Sequence, residues 1–125
     1  MIRHIVFFSA RTPQNIEAIR RGLSILTGIP HALKLEVSEN RKSDPLSSEV
    51  DIVVYGEFED HAALAAYKSH ELYAEAIRRV RPLRELRLAA DYLIQEATTE
   101  PAIGAEPAIY ASSSEQPATL RQAPD

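Results

Sequence analysis

The chain has 125 residues, no cysteine and a net charge of −4, from 14 lysines and arginines against 18 aspartates and glutamates. This length suits one domain with a real core, and the lack of cysteine excludes disulfides and thiolate metal sites and suits a cytoplasmic protein. The acidic balance does not favour binding to nucleic acid, and no apolar run approaches the length that a membrane span needs.

The first predicted elements are a strand and a helix. Residues Ile2–Ala10 are rich in β-branched and aromatic side chains, which favours a strand. Its alternation groups four residues on one face: Ile2, His4, Val6 and Phe8. Thr12 and Pro13 are typical of a helix start, and Gly28 and Pro30 predict its end.

The rest of the domain alternates between strands and a helical region. Alternating apolar residues predict strands over Leu33–Val37 and Val50–Phe58. Asp60 is placed to cap a helix that ends at Pro82, with a break near Ser69. The last strand is predicted over 86–94, with five residues on one face: Leu86, Leu88, Ala90, Tyr92 and Ile94.

The element order β-α-β-β-α-β predicts a ferredoxin-like α+β domain, with two helices on one face of a four-stranded antiparallel sheet. The other sheet face is expected to be apolar and to carry Ile5, Phe7, Val53, Tyr55, Ala89 and Leu93, or their alternates. A monomer rarely exposes such a surface, so we expect a homodimer that pairs through the sheet face.

The composition changes near residue 97. Residues 97–125 contain four prolines and few large apolar side chains, and they hold −3 of the net charge. Such a segment buries too little apolar surface to order itself. We therefore predict a domain over 1–96 and an acidic tail rich in proline, alanine and serine over 97–125.

Several residues with polar tips are candidates for a site between sheet and helices. His4 is either a buried histidine bonded to a backbone or tyrosine group, or a pocket group that binds or polarises a carbonyl. Tyr67, His70 and Tyr73 follow one another on the second helical region and either pack or line a pocket for a small ligand. Tyr92 on the last strand either faces the same cavity or, together with Asp91, has a structural role.

Other kinds of site are not favoured. His4 and His70 lack a third ligand, so no metal site is predicted, and no motif indicates a cofactor. The arginines between residues 78 and 87 lie among glutamates, which favours a solvated face.

Five segments resemble the Dabb (stress-responsive A/B barrel) family in the same order along residues 1–94. They are Met1–Phe8, Leu26–Pro30, Asp51–Glu59, Ala66–His70 and Ala90–Tyr92. The resemblance implies a dimeric α+β barrel and, for most members, no known chemistry.

Some plant proteins similar to this family close a polyketide ring by intramolecular aldol condensation. By that resemblance His4, Tyr67 and His70 are site residues, with His4 and His70 as the catalytic candidates and Tyr67, Tyr73 and Tyr92 as the ligand-binding candidates. Tyr73 stands in place of a second helix histidine, which serves as the base in those proteins. Three functions follow: a small-molecule-binding or structural homodimer without turnover, a cyclase- or lyase-like enzyme on a small carbonyl compound, and a cofactor-free monooxygenase.

Overall fold

The computed structural model describes residues 1–100. Its four strands are β1 (Ile2–Ala10), β2 (Lys34–Glu39), β3 (Ile52–Phe58) and β4 (Arg84–Leu93). Its three α-helices are α1 (Ile16–Ser24), α2 (His61–Lys68) and α3 (Glu71–Val80). Short 3₁₀ turns lie at Pro13–Asn15, Ile25–Gly28, Pro45–Ser47 and Ile94–Glu96.

The four strands form one antiparallel sheet in the order β2-β3-β1-β4. This arrangement confirms the predicted ferredoxin-like α+β fold, with β1 and β3 at the centre. The predicted domain boundary at residue 96 and the predicted tail stay predictions, because residues 101–125 lie outside the described part of the chain.

The helices cover one face of the sheet and bury alternate strand residues. The buried core joins strand residues to helix residues: Ile2, Val6, Phe8, Ile52, Val54, Phe58, Ile19, Leu23, Leu64, Tyr67 and Val80. Gly22 lets α1 approach α3, since a Cβ on it would lie 2.9 Å from Cγ2 of Val80. The four β1 residues that alternation grouped together all face this core, as predicted.

The second helical region is broken, as the sequence predicted. Asp60 caps α2 by accepting a hydrogen bond from the Ala63 N–H at 2.9 Å. The helix ends at Lys68, and α3 starts again at Glu71 with His70 as its N-cap. The first helix starts differently from the prediction: Pro13 opens a 3₁₀ turn, and the Thr12 side chain caps no backbone N–H.

The opposite face of the sheet, here called the open face, has no helix over it in residues 1–100. Its β1 and β3 residues include Ile5, Phe7, Val53 and Tyr55, as predicted. The predicted β4 members Ala89 and Leu93 are wrong, because they pair with Val6 and Ile2 on the helix side. Their alternates Leu88 and Ala90 occupy the open face instead.

Candidate functional site

A cavity of about 240 Å³ lies between the helix side of β1 and β3 and the helices α1 and α3. Most of its wall is apolar: Val6, Phe8, Leu23, Leu26, Val54, Ala76, Ile77 and Val80. Its polar lining residues are His4, Tyr67, Tyr73, Arg81, Arg84 and Arg87. An apolar pocket with a few polar groups is the usual form of a small-molecule site.

His4 is one of the two buried polar residues of β1, with 1% of its surface exposed. Asp91 sits directly opposite it on β4, and the two side chains meet with 2.5 Å between Nδ1 and Oδ1. The prediction of a backbone or tyrosine partner for His4 is therefore wrong, because strand pairing brings a carboxylate there. Gly56 is its other neighbour, on β3, and it has no side chain to crowd the ring.

Only one His4 nitrogen is engaged within residues 1–100. Nδ1 is held by Asp91, whereas Nε2 has no hydrogen-bond partner among these residues. An ionised carboxylate only accepts hydrogen bonds, so it favours the tautomer with the proton on Nδ1. Nε2 then carries the free lone pair on a ring that lines the cavity.

Tyr67 lies beside His4, with 6.3 Å between the ring centroids. It is 1% exposed, and its hydroxyl has no hydrogen-bond partner among the described residues. Burial raises the pKa of this hydroxyl, and Tyr73 adds to the rise while the positive charge of Arg87 opposes it. The hydroxyl therefore stays protonated and is a donor at the cavity wall.

Tyr73 joins the same group from α3. Its ring centroid lies 5.2 Å from that of Tyr67, in an edge-to-face arrangement. Its hydroxyl meets Nη2 of Arg87 at 3.5 Å. The structure thus brings three of the five predicted site residues, His4, Tyr67 and Tyr73, to one cavity.

His70 lies elsewhere. It is the N-cap of α3, and its Nδ1 accepts a hydrogen bond from the Leu72 N–H at 3.0 Å. Its ring faces His31 at 6.0 Å rather than the cavity. Tyr67 and His70 do not share a helix face, because the helix is interrupted between them.

Tyr92 lies on the open face, so its predicted placement in the cavity is wrong. It pairs with Arg3 of β1, whose Nη1 donates to the Tyr92 hydroxyl at 3.0 Å. Adjacent strand residues point to opposite faces, which sends Asp91 to His4 and Tyr92 away from it. A strand register was needed to decide between the two, and one sequence does not supply it.

The arginine cluster is divided into two sets. Arg78 and Arg79 bond to Glu75 on the exposed side of α3. Arg81, Arg84 and Arg87 line the cavity; Arg81 and Arg87 are also exposed, in agreement with the predicted solvated face, and Arg84 is half-buried. Residues 1–100 bring together no group of three histidine, aspartate or glutamate side chains suited to a metal ion.

Comparisons with known proteins place this geometry in a family. The family model described as Stress Responsive A/B Barrel Domain matches residues 2–94. A comparison with curated proteins gives no significant match. Within residues 1–100, no helix is long and apolar enough to cross a membrane.

Solved structures share the fold. A Dabb family protein with a ferredoxin-like fold from Mesorhizobium loti is 26% identical, with a TM-score of 0.61 over 74% of this chain and 94% of that one. A dimeric ferredoxin-like protein of unknown function from Thermobifida fusca is 23% identical, with a TM-score of 0.64 over 74% and 90%. A similar dimeric protein from Jannaschia sp. CCS1 is 21% identical, with a TM-score of 0.67 over 74% and 98%. The chain belongs to the stress-responsive A/B barrel domain family.

Proposed function

We propose that the protein binds a small carbonyl compound in the cavity beside His4 and Tyr67. The observation that carries this proposal is a buried imidazole, fixed by Asp91 through Nδ1, next to a tyrosine whose hydroxyl has no hydrogen-bond partner in residues 1–100. Among these residues Arg3 Nε is the one buried side-chain nitrogen or oxygen without a partner, so the Tyr67 hydroxyl and Nε2 of His4 are not sealed in the core. A donor and an acceptor that line one cavity favour a polar ligand there.

The chemistry of the two groups favours a carbonyl. The protonated Tyr67 hydroxyl donates to a carbonyl oxygen, while Nε2 of His4 accepts a proton from a neighbouring acidic carbon or hydroxyl. The cavity of about 240 Å³ lies below the roughly 300–1,000 Å³ of sites for drug-sized molecules, which favours a smaller ligand.

Titration with the neutral ketone 2-heptanone, followed by two-dimensional amide NMR, tests the proposal. We expect shifts for cavity residues and a binding constant that weakens about five- to tenfold in Tyr67→Phe, which removes one hydrogen bond. Tyr92→Phe is the matched control, because that hydroxyl lies on the open face. Equal binding by all three proteins, or no shifts at the cavity, would contradict a carbonyl site.

A second function, proton transfer on the bound compound, is favoured by the His4–Asp91 pair. Nε2 takes the proton from the carbon next to the carbonyl, the electron pair of that C–H bond forms a carbon–carbon double bond, and the π pair of the carbonyl moves onto its oxygen to give the enolate. Tyr67 stabilises the enolate by donating its hydrogen bond, and the carboxylate of Asp91 stabilises the imidazolium. This step is the first half of a cyclase- or lyase-like reaction.

Exchange of the α-protons of 2-heptanone in D₂O measures this step directly. General-base catalysis contributes about 10²- to 10⁴-fold, so we expect His4→Gln to lose the exchange that the native protein accelerates. Asp91→Asn should slow it by a smaller factor, because the base stays but loses its orientation. Binding without any accelerated exchange would leave the binding function and exclude the enzymatic one for this class of ketone. No feature of residues 1–100 favours monooxygenase chemistry over these two functions.

We also propose that the protein is a homodimer paired through the open face. That face presents an apolar patch formed by Ile5, Phe7, Val53, Leu88 and Ala90, and Leu88 is 56% exposed. Patches of this kind mark contact sites with other proteins. The Thermobifida and Jannaschia structures are dimeric, which supports the same assembly here.

A further inference from the structure

Three arginines line the cavity and form no ion pair within residues 1–100. Arg81 follows the last turn of α3, and Arg84 and Arg87 lie at the start of β4. Four arginines in residues 1–100 form an ion pair with a glutamate: Arg11, Arg20, Arg78 and Arg79. Arg3, Arg21 and Arg41 form none within these residues, as is the case for the three cavity arginines, so the place of those three at the cavity is what distinguishes them. The three cavity arginines meet no carboxylate among these residues, although the chain as a whole is acidic.

A register shift in the sheet brings Arg84 and Arg87 together. Residues three apart in a regular strand point to opposite faces. Here Phe8 pairs with Arg87 but Ala10 pairs with Arg84, so two β4 residues lie opposite Ser9. This β-bulge returns Arg84 to the helix side, and both arginines are lining residues of the cavity.

A hydrogen bond between a side chain and the backbone stabilises the bulge. The buried Ser9 hydroxyl accepts a hydrogen bond from the Leu86 N–H at 3.0 Å. The backbone group that the bulge removes from the ladder is thereby satisfied. The fold thus maintains an irregularity whose result is two cationic groups on one cavity wall.

Three arginines that line one cavity give it a positive potential, which favours an anionic ligand. Guanidinium groups also bind carboxylate and phosphate oxygens through paired hydrogen bonds. Arg87 reaches the Tyr73 hydroxyl, so the cationic end is continuous with the tyrosines beside His4.

We propose that the ligand is a small organic anion whose charged group binds at Arg81, Arg84 and Arg87. Its uncharged part fills the apolar cavity and presents a carbonyl to His4 and Tyr67. This inference rests on the proposed function, because it names the class of compound that the same cavity selects.

The test compares three matched compounds on the full chain by amide NMR titration. They are 5-oxohexanoate, its neutral amide 5-oxohexanamide, and the phosphate ester 4-oxopentyl phosphate. We expect at least one anion to bind about tenfold or more tightly than the amide, since hydrogen bonds to charged groups are the stronger ones. The tighter of the two anions identifies the charged group.

Two substitutions test whether Arg84 and Arg87 bind the charged group of the ligand. Arg84→Gln and Arg87→Gln should each weaken anion binding about five- to tenfold and leave the amide unchanged. Arg78→Gln is the control, because it removes the same charge nearby while Arg79 still holds Glu75. Equal binding of amide and anions, or an equal loss in Arg78→Gln, would overturn the anion inference while leaving the carbonyl site intact. Failure of all three compounds to shift cavity residues would overturn the proposed function itself.

Discussion

The two faces of the sheet are made by the same strands but present different chemistry. On the helix side, alternate residues of β1 and β3 bury the core, and His4 lines a cavity. On the open face, the residues between them form an apolar patch with polar groups at one end. One alternation of period two therefore separates the proposed ligand site from the proposed dimer contact.

The comparison teaches that a change on one face need not affect the other. Neighbours in sequence, such as His4 and Ile5, belong to different functions, whereas His4 and Asp91, far apart in sequence, form one unit. Substitutions chosen by face should therefore separate folding, assembly and ligand chemistry.

The largest loss of stability is expected for a substitution on the helix side of the sheet. Phe58 is 0% exposed, so Phe58→Ala leaves a cavity in the core and should lower the free energy of unfolding by about 3–5 kcal/mol. Urea unfolding at fixed protein concentration measures it. Leu46→Ala, 79% exposed, should stay within about 0.5 kcal/mol of the native value. A Phe58→Ala loss below about 1 kcal/mol would mean that the core is not packed as described.

The open face is expected to control assembly instead. Leu88→Lys places a charge in the apolar patch and should weaken the dimer about 100-fold or more, since an unpaired charge buried in a contact costs several kcal/mol. Sedimentation across a range of protein concentrations should show a monomer, with the circular dichroism of the fold retained.

Leu46→Lys is the matched control for this change, because it adds the same charge to a leucine exposed in the turn before β3. It should remain dimeric. A native protein that sediments as a monomer, or a Leu88→Lys protein that stays dimeric, would rule out pairing through the open face.

Two acidic residues of β4, Asp91 and Glu85, are expected to contribute differently to stability. Asp91→Ala leaves Nδ1 of the buried His4 without its partner, so we expect a loss of about 1–3 kcal/mol in the free energy of unfolding. Glu85→Ala, on the same strand with its side chain 72% exposed, should change stability by less than about 0.5 kcal/mol. Equal effects of the two substitutions would mean that Asp91 contributes no more than a surface charge.

The fold was predictable from the sequence because its signals are local. Strand alternation, the Asp60 cap and the break near Ser69 each depend on a few neighbouring residues, and the structure has all of them. The family resemblance over residues 1–94 agrees with the family model over 2–94. The alternation of β1 also placed His4 on the covered face.

The site was less predictable because it depends on pairing between strands. A shift of one residue exchanges the two faces, so Tyr92 and Asp91 could not be distinguished without the register. The bulge opposite Ser9 likewise reverses the face of Arg84, and no local pattern indicates it. His70 lies outside the cavity because it caps α3, whereas the sequence analysis gave it as a site residue.

The change expected at neutral pH is smallest for Tyr67, whose contribution to stability depends on pH only in alkaline solution. Its pKa is raised by burial, so above the ordinary tyrosine pKa of about 10 the unfolded chain loses this proton while the folded chain keeps it. The folded state then binds more protons, and stability falls as the pH rises, by up to about 1.4 kcal/mol per pH unit from this group. Urea unfolding between neutral and strongly alkaline pH should show that fall. Tyr67→Phe should lower the slope of unfolding free energy against pH by the contribution of this one titrating group. Tyr92→Phe, on the open face, should keep the native slope, and a Tyr67→Phe protein with an unchanged slope would mean that the hydroxyl is not buried as described.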